Sequence, residues 1–169
     1  MQMRRHQTGA TLLIVLFLIA ILQLLAVATL NRITLQTRIA ANTSDGIQAF
    51  HAADAGVLLC ARRFEQEGNI PVHEWPGREE PTYWRTPVAF EGAAPAAFEI
   101  AASWPHSIKP PQCLVEVWSP VPSEEKMMAL ITTRGFGSTM NAQAWQQLIM
   151  ERGHPKEGRN WRSVAARPY

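Results

Sequence analysis

From Ala10 to Leu30 the chain runs 21 residues without a charge, and only Thr11, Gln23 and Thr29 interrupt the apolar positions. A helix of that length rises ~30 Å, the thickness of a bilayer hydrocarbon core. An all-round apolar helix finds too little covering surface in a domain this small to be a core helix. Two readings remain, a retained membrane span and a secretory signal cut after the small-x-small run Ala26-Val27-Ala28. The run is longer than the roughly 7–15 residues of an ordinary signal core, which favours the span.

Beyond Asn31 the pattern becomes amphipathic. Ile47, Phe50, Ala53, Val57, Cys60 and Phe64 recur at steps of three and four, one stripe of a helix. This spacing predicts a helix over 10–64, about 80 Å end to end. The cluster Asn42-Thr43-Ser44-Asp45-Gly46 could instead cap a new helix at Ile47. A helix-interior glycine costs only ~1 kcal/mol, so a continuous helix, with or without a kink, is the expectation. Gly68 is a suitable stop.

The C-terminal half changes period again. Ten of the 12 prolines fall between Pro71 and Pro122, a density that excludes long helices. Residues 65–95 therefore read as an extended connection pinned by aromatic side chains. Strands are expected at Ala97–Ser103, Cys113–Trp118, Met127–Arg134, Gln143–Glu151 and Trp161–Ala166. In the first, Phe98, Ile100 and Ala102 share one side. Gln143–Glu151 also suits a terminal helix by composition. Short connections favour an antiparallel meander of four or five strands, 96–169, laid over the helical stripe. The fold class is α+β.

Charge narrows the function classes. The formal charge of +2 comes from Arg4 and Arg5, and from Glu65 onward 10 Lys+Arg face 12 Asp+Glu. That balance makes no electrostatic case for nucleic acid or anionic lipid. Two cysteines exclude a disulfide-dense scaffold and a four-thiolate zinc site. Cys60 on the stripe and Cys113 at a strand start either form a disulfide in an oxidising compartment or pack as buried thiols.

Catalytic chemistry is not apparent, and no cofactor or metal is expected. The histidines at 6, 51, 73, 106 and 154 lack ligand spacing. Glu79-Glu80 and Glu124-Glu125 read as solvated turn charge, since neighbours in extended chain point apart. No serine sits in a nucleophile elbow. Gly135-Phe136-Gly137 reads as a strand-ending turn. The run Arg152, Lys156, Arg159, Arg162, Arg167, opposed locally only by Glu157, reads as a solvated hairpin or as a basic contact for an acidic partner. Trp75, Trp84 and Trp104 read as core or loop anchors, with an exposed contact patch as the alternative.

The residues flanking the span add a resemblance. Arg4-Arg5-His6-Gln7-Thr8-Gly9, running directly into Ala10-Thr11-Leu12-Leu13-Ile14-Val15, resembles the prepilin signal of type IV pilins and type II secretion pseudopilins. Thr34-Leu35-Gln36-Thr37-Arg38-Ile39-Ala40-Ala41-Asn42 and Ala49-Phe50-His51-Ala52-Ala53-Asp54-Ala55-Gly56 resemble the N-terminal region of PilX-type minor pilins. The resemblance implies a leader over 1–9, cut by prepilin peptidase between Gly9 and Ala10, with N-methylation of Ala10. It implies a stem helix, 10–30 in the inner membrane and 31–64 beyond it, with the head periplasmic before assembly. Ile14 stands where most pilins carry a glutamate, and PilX-type pilins share that lack. A subunit without the glutamate needs none ahead of it, which suits the filament tip. The implied partners are other minor pilins, the major pilin and a tip adhesin, with no specific nucleic-acid binding. The implied roles are in pilus assembly and thereby in adhesion, twitching motility or DNA uptake. A minor pseudopilin, or a signal-anchored or secreted domain outside any filament, are the alternatives.

Overall fold

A computed structural model describes residues 10–66, 70–120, 127–151, 158–165 and 167–169. Helix α1, Ala10–Gln66, is continuous for 57 residues and passes through Asn42–Gly46 without a break. The capping groups lose because helix on both sides already satisfies the backbone there. The chain divides into two compact units, Met1–Asn42 and Thr43–Tyr169. In the first, every residue of α1 from Thr11 onward is exposed.

The second unit is built on a sheet. Its strands are β1 (His73–Glu74), β2 (Phe98–Glu99), β3 (Gln112–Trp118), β4 (Met128–Phe136), β5 (Gln143–Glu151) and β6 (Asn160–Val164). The order is β1-β3-β4-β5-β6, with β2 also paired to β3. Strands β3 to β6 form the expected antiparallel meander, and Gln143–Glu151 is a strand. β1 runs parallel to β3, so the sheet is mixed rather than purely antiparallel.

Alternation sorts the strands' side chains onto two faces. Cys113, Val115, Val117, Ala129, Ile131, Leu148 and Met150 pack with Val57, Cys60, Ala61 and Phe64 of α1. Leu114, Trp118, Leu130 and Trp145 face the other way, against Trp84, Ala89, Phe90 and Ala97. The connection thus covers the outer sheet face. It carries β1, a 3-10 turn at Tyr83–Arg85 and a one-turn helix α2 at Pro87–Phe90, more structure than an extended linker. Trp84 is buried and Trp75 and Trp104 are half-buried, so these three do not make an exposed patch.

Three expectations are corrected. Ala53, Val57, Cys60 and Phe64 of the expected stripe are buried, but Ile47 and Phe50 are 51% and 43% exposed, and Ala49, Ala52 and Ala61 complete the buried face. Around Ala49 and Ala53 small side chains hold that face because the sheet lies too close there for large ones. A Cβ on Gly135 would come within 2.9 Å of the Ala53 Cα and nearer still to the Ala49 carbonyl oxygen. Gly135 is accordingly a strand residue under the helix, not part of a turn, and β4 runs on to Phe136. Finally, Ala97–Ser103 shrinks to Phe98–Glu99, because Ile100 bonds back to the Pro111 carbonyl and Ala102 turns to solvent.

Candidate functional site

Two regions carry the features that bear on function, and each is described by itself. The first is the exposed apolar part of α1. Ala10 is its first residue, and Gly9 lies outside the described residues. Ile14 is 58% exposed, with Leu13, Phe17 and Leu18 similarly bare around it. Among the described residues one helix is long and apolar enough to cross a membrane, and its apolar window is wholly unburied. A helix bare on every side is stable in lipid or among other such helices, since its backbone bonds are satisfied internally.

The second region is the Thr43–Tyr169 unit, whose polar groups are arranged for structure. Cys60 and Cys113 are joined in a disulfide with Cα atoms 6.4 Å apart, tying α1 to β3. On α1, Asp45 accepts hydrogen bonds from the Ser138 amide, the Ser138 hydroxyl (2.8 Å) and the Thr139 hydroxyl (2.7 Å). The Thr139 bond leads in holding its carboxyl below 3.8, with Ser138 assisting against partial desolvation. Gly137 is required beside it, because a Cβ there would sit 2.9 Å from the Asp45 carboxyl carbon.

The outer sheet face has polar groups in its core. Glu116 is fully buried. One carboxylate oxygen accepts the Tyr83 amide at 3.1 Å, and the other has no hydrogen-bond partner among the described residues. Burial raises its pKa from 4.5 to about 7. The Tyr83 and Trp84 amides pull it down incompletely, and Glu80 nearby adds to the rise. In the next cross-strand row, Gln147 donates to the Thr132 hydroxyl at 2.9 Å and accepts from Arg162 Nε at 2.6 Å. Arg162 also pairs with Glu80 of the connection.

A further cation anchors the end of β4. Arg134, only 4% exposed, donates to Glu91 Oε1 and Gln143 Oε1, both at 3.1 Å, and to the Tyr169 hydroxyl at 3.3 Å. Its guanidinium lies 4.9 Å from the Phe136 ring centroid and 5.4 Å from that of Trp145. Arg167 meets the same Glu91 oxygen at 3.1 Å, and Arg159 pairs with Glu65. The described members of the basic run therefore have acidic partners, supplied from 76 to 94 residues away in sequence. Arg152, Lys156, Glu157 and Glu124-Glu125 lie outside the described residues. Among the described residues no cluster of His, Cys, Asp or Glu is placed to hold a metal ion.

Of the positions singled out from sequence, the fold brings together Cys60 with Cys113 and, as an ion pair, Glu80 with Arg162. Glu116, Asp45 and Arg134 were missed, because each is defined by partners distant in sequence. A charged residue amid Cys113-Leu114-Val115 and Val117-Trp118 was the one local signal for Glu116.

Residues 8–58 match the family model for the PilX N-terminal region. Over that segment the chain is similar to PilX-type pilins. The match spans the apolar window of α1 and ends inside the face that meets the sheet. No curated protein and no solved structure matches the chain. This similarity suggests a type IV pilus minor pilin, a class of structural components. An apolar, unburied helix fits inner-membrane anchoring of such a subunit.

Proposed function

We propose that this chain is a minor pilin incorporated at or near the tip of a type IV pilus, where it helps prime assembly. The observation that carries the reading is the coincidence of the PilX match over 8–58 with a helix that is uncharged and bare from Thr11 to Leu30. In this reading prepilin peptidase cuts between Gly9 and Ala10, Ala10 becomes the methylated N-terminus, and the head faces the periplasm. Other minor pilins and the major pilin then cover the apolar surface of α1.

Ile14 supports the tip position. An ionised carboxylate in the bilayer costs ~2.5–3.5 kcal/mol on insertion scales, so a subunit keeps one there only for a task. With isoleucine at this position, α1 offers no acidic group to the N-terminal amine of a subunit ahead of it. The subunit is then suited to start a filament rather than extend one.

The test is the N-terminal sequence and intact mass of the membrane-fraction protein, with and without prepilin peptidase. Methylated Ala10 as first residue is expected. A soluble chain starting at Thr29, or an uncut Met1 start with peptidase present, overturns the reading. For position, immunogold label on the head is expected at filament ends. Label along filament lengths refutes the tip assignment while leaving the pilin assignment standing.

A further inference from the structure

Beside Arg134, at the end of β3 and β4, lies a cavity of about 380 Å³. Phe90, Phe136 and Met140 supply apolar wall, and the polar wall is Lys109, Gln112, Arg134 and the Glu91 carboxylate. Its charge is unbalanced. Arg134 and Arg167 both donate to one oxygen of Glu91, so a single carboxylate answers two guanidinium groups held close together. Lys109 adds a third positive charge at the rim and forms no ion pair among the described residues. Like charges converging in a partly desolvated site repel, and an anion entering it relieves that repulsion.

Hydrogen-bonding capacity is also unused there. Gln112 faces Arg134 across the β3–β4 ladder, and its buried Oε1 has no partner. The volume falls in the range of small-molecule sites and far exceeds a bare inorganic ion. Arg134 is fixed by its three hydrogen bonds and two aromatic faces, so the site is formed before any ligand arrives.

We propose that this cleft binds a small organic carboxylate carried on an aromatic or otherwise apolar body. The carboxylate sits towards Lys109 and the Arg134–Arg167 pair, and the body lies against Phe136 and Met140.

The test uses the full chain in detergent micelles, with its methionine methyls labelled, titrated by NMR with phenylacetate, phenylacetamide and acetate. Phenylacetate is expected to shift the Met140 methyl saturably while the Met127 methyl stays still. The neutral amide and the bodiless acetate are expected to bind about tenfold more weakly or worse. Lys109→Ala and Arg167→Ala change exposed side chains, so both should keep the parent methyl spectrum. Each is expected to weaken phenylacetate binding by about three- to tenfold. An unmoved Met140 methyl overturns the proposal, as does equal binding of the amide or an unchanged affinity in both variants. Acetate binding as tightly as phenylacetate marks an anion site without a ligand pocket and overturns it too.

Discussion

Replacing Glu116 by glutamine is expected to stabilise the head, and to do so only at neutral and alkaline pH. Glutamine keeps the shape and the acceptor that Tyr83 uses, and removes the possibility of charge. The folded pKa is raised from 4.5 to about 7, mainly because the carboxyl is buried. The native state therefore holds the proton more tightly than the unfolded chain does. Glu116 is least costly below pH 4.5, where both states are protonated. That favourable state is lost as pH rises through about 7. Each pKa unit corresponds to ~1.4 kcal/mol, so the penalty in the ionised protein is on the order of 3 kcal/mol.

The measurement is urea unfolding of parent and Glu116→Gln full chains in mild detergent, at several pH values from 4 to 9. All 6 tryptophans lie between Trp75 and Trp161, so fluorescence reports the head. All other groups are common to the two proteins, so their contributions cancel in the difference. The two should agree near pH 4 and diverge by ~2–3 kcal/mol in favour of glutamine by pH 9. Parallel pH profiles, or a glutamine variant weaker throughout, would show that Glu116 is ionised and compensated in the native state, and would refute the argument.

Other perturbations probe how helix and sheet are joined. Gly135→Ala places a methyl against the α1 backbone, which cannot yield as a side chain would. A loss of about 3 kcal/mol or more in the same unfolding assay is expected. Gly46→Ala meets nothing within 4 Å and should stabilise by ~0.5–1 kcal/mol, giving glycine replacements of opposite sign on the two sides of one packing argument. Reduction of Cys60–Cys113, which are 53 residues apart, should lower stability by about 4 kcal/mol on the chain-entropy account, read as a shift in urea midpoint. An unchanged midpoint after confirmed reduction would remove the disulfide from the list of supports.

The sequence alone determined the parts that depend on local pattern. An uncharged apolar run of 21 residues dictates a membrane-compatible helix whatever follows it. The Val-rich run Cys113–Trp118 after Pro110-Pro111 pointed to a strand, whereas Gln143–Glu151 suited strand or helix and pairing with β4 decided it. The basic leader ending in Gly9 and the pattern through Gly56 carried the pilin resemblance for the same reason, being contiguous in sequence.

What tertiary structure alone decided depends on distance between segments. The stripe from Ala53 through Val57 and Cys60 to Phe64 meets the sheet as expected, but N-terminal to it Ala49 and Ala52 are buried in place of Ile47 and Phe50. The close approach at Gly135 admits backbone and small side chains only. Nothing in Arg159, Arg162 and Arg167 announces Glu65, Glu80 and Glu91 as partners. Proline density correctly excluded long helices from 65–95, but it could not show that this connection folds over the outer sheet face. There it buries Glu116, and the cost of that burial is set by the segment lying over it rather than by any neighbour in the chain.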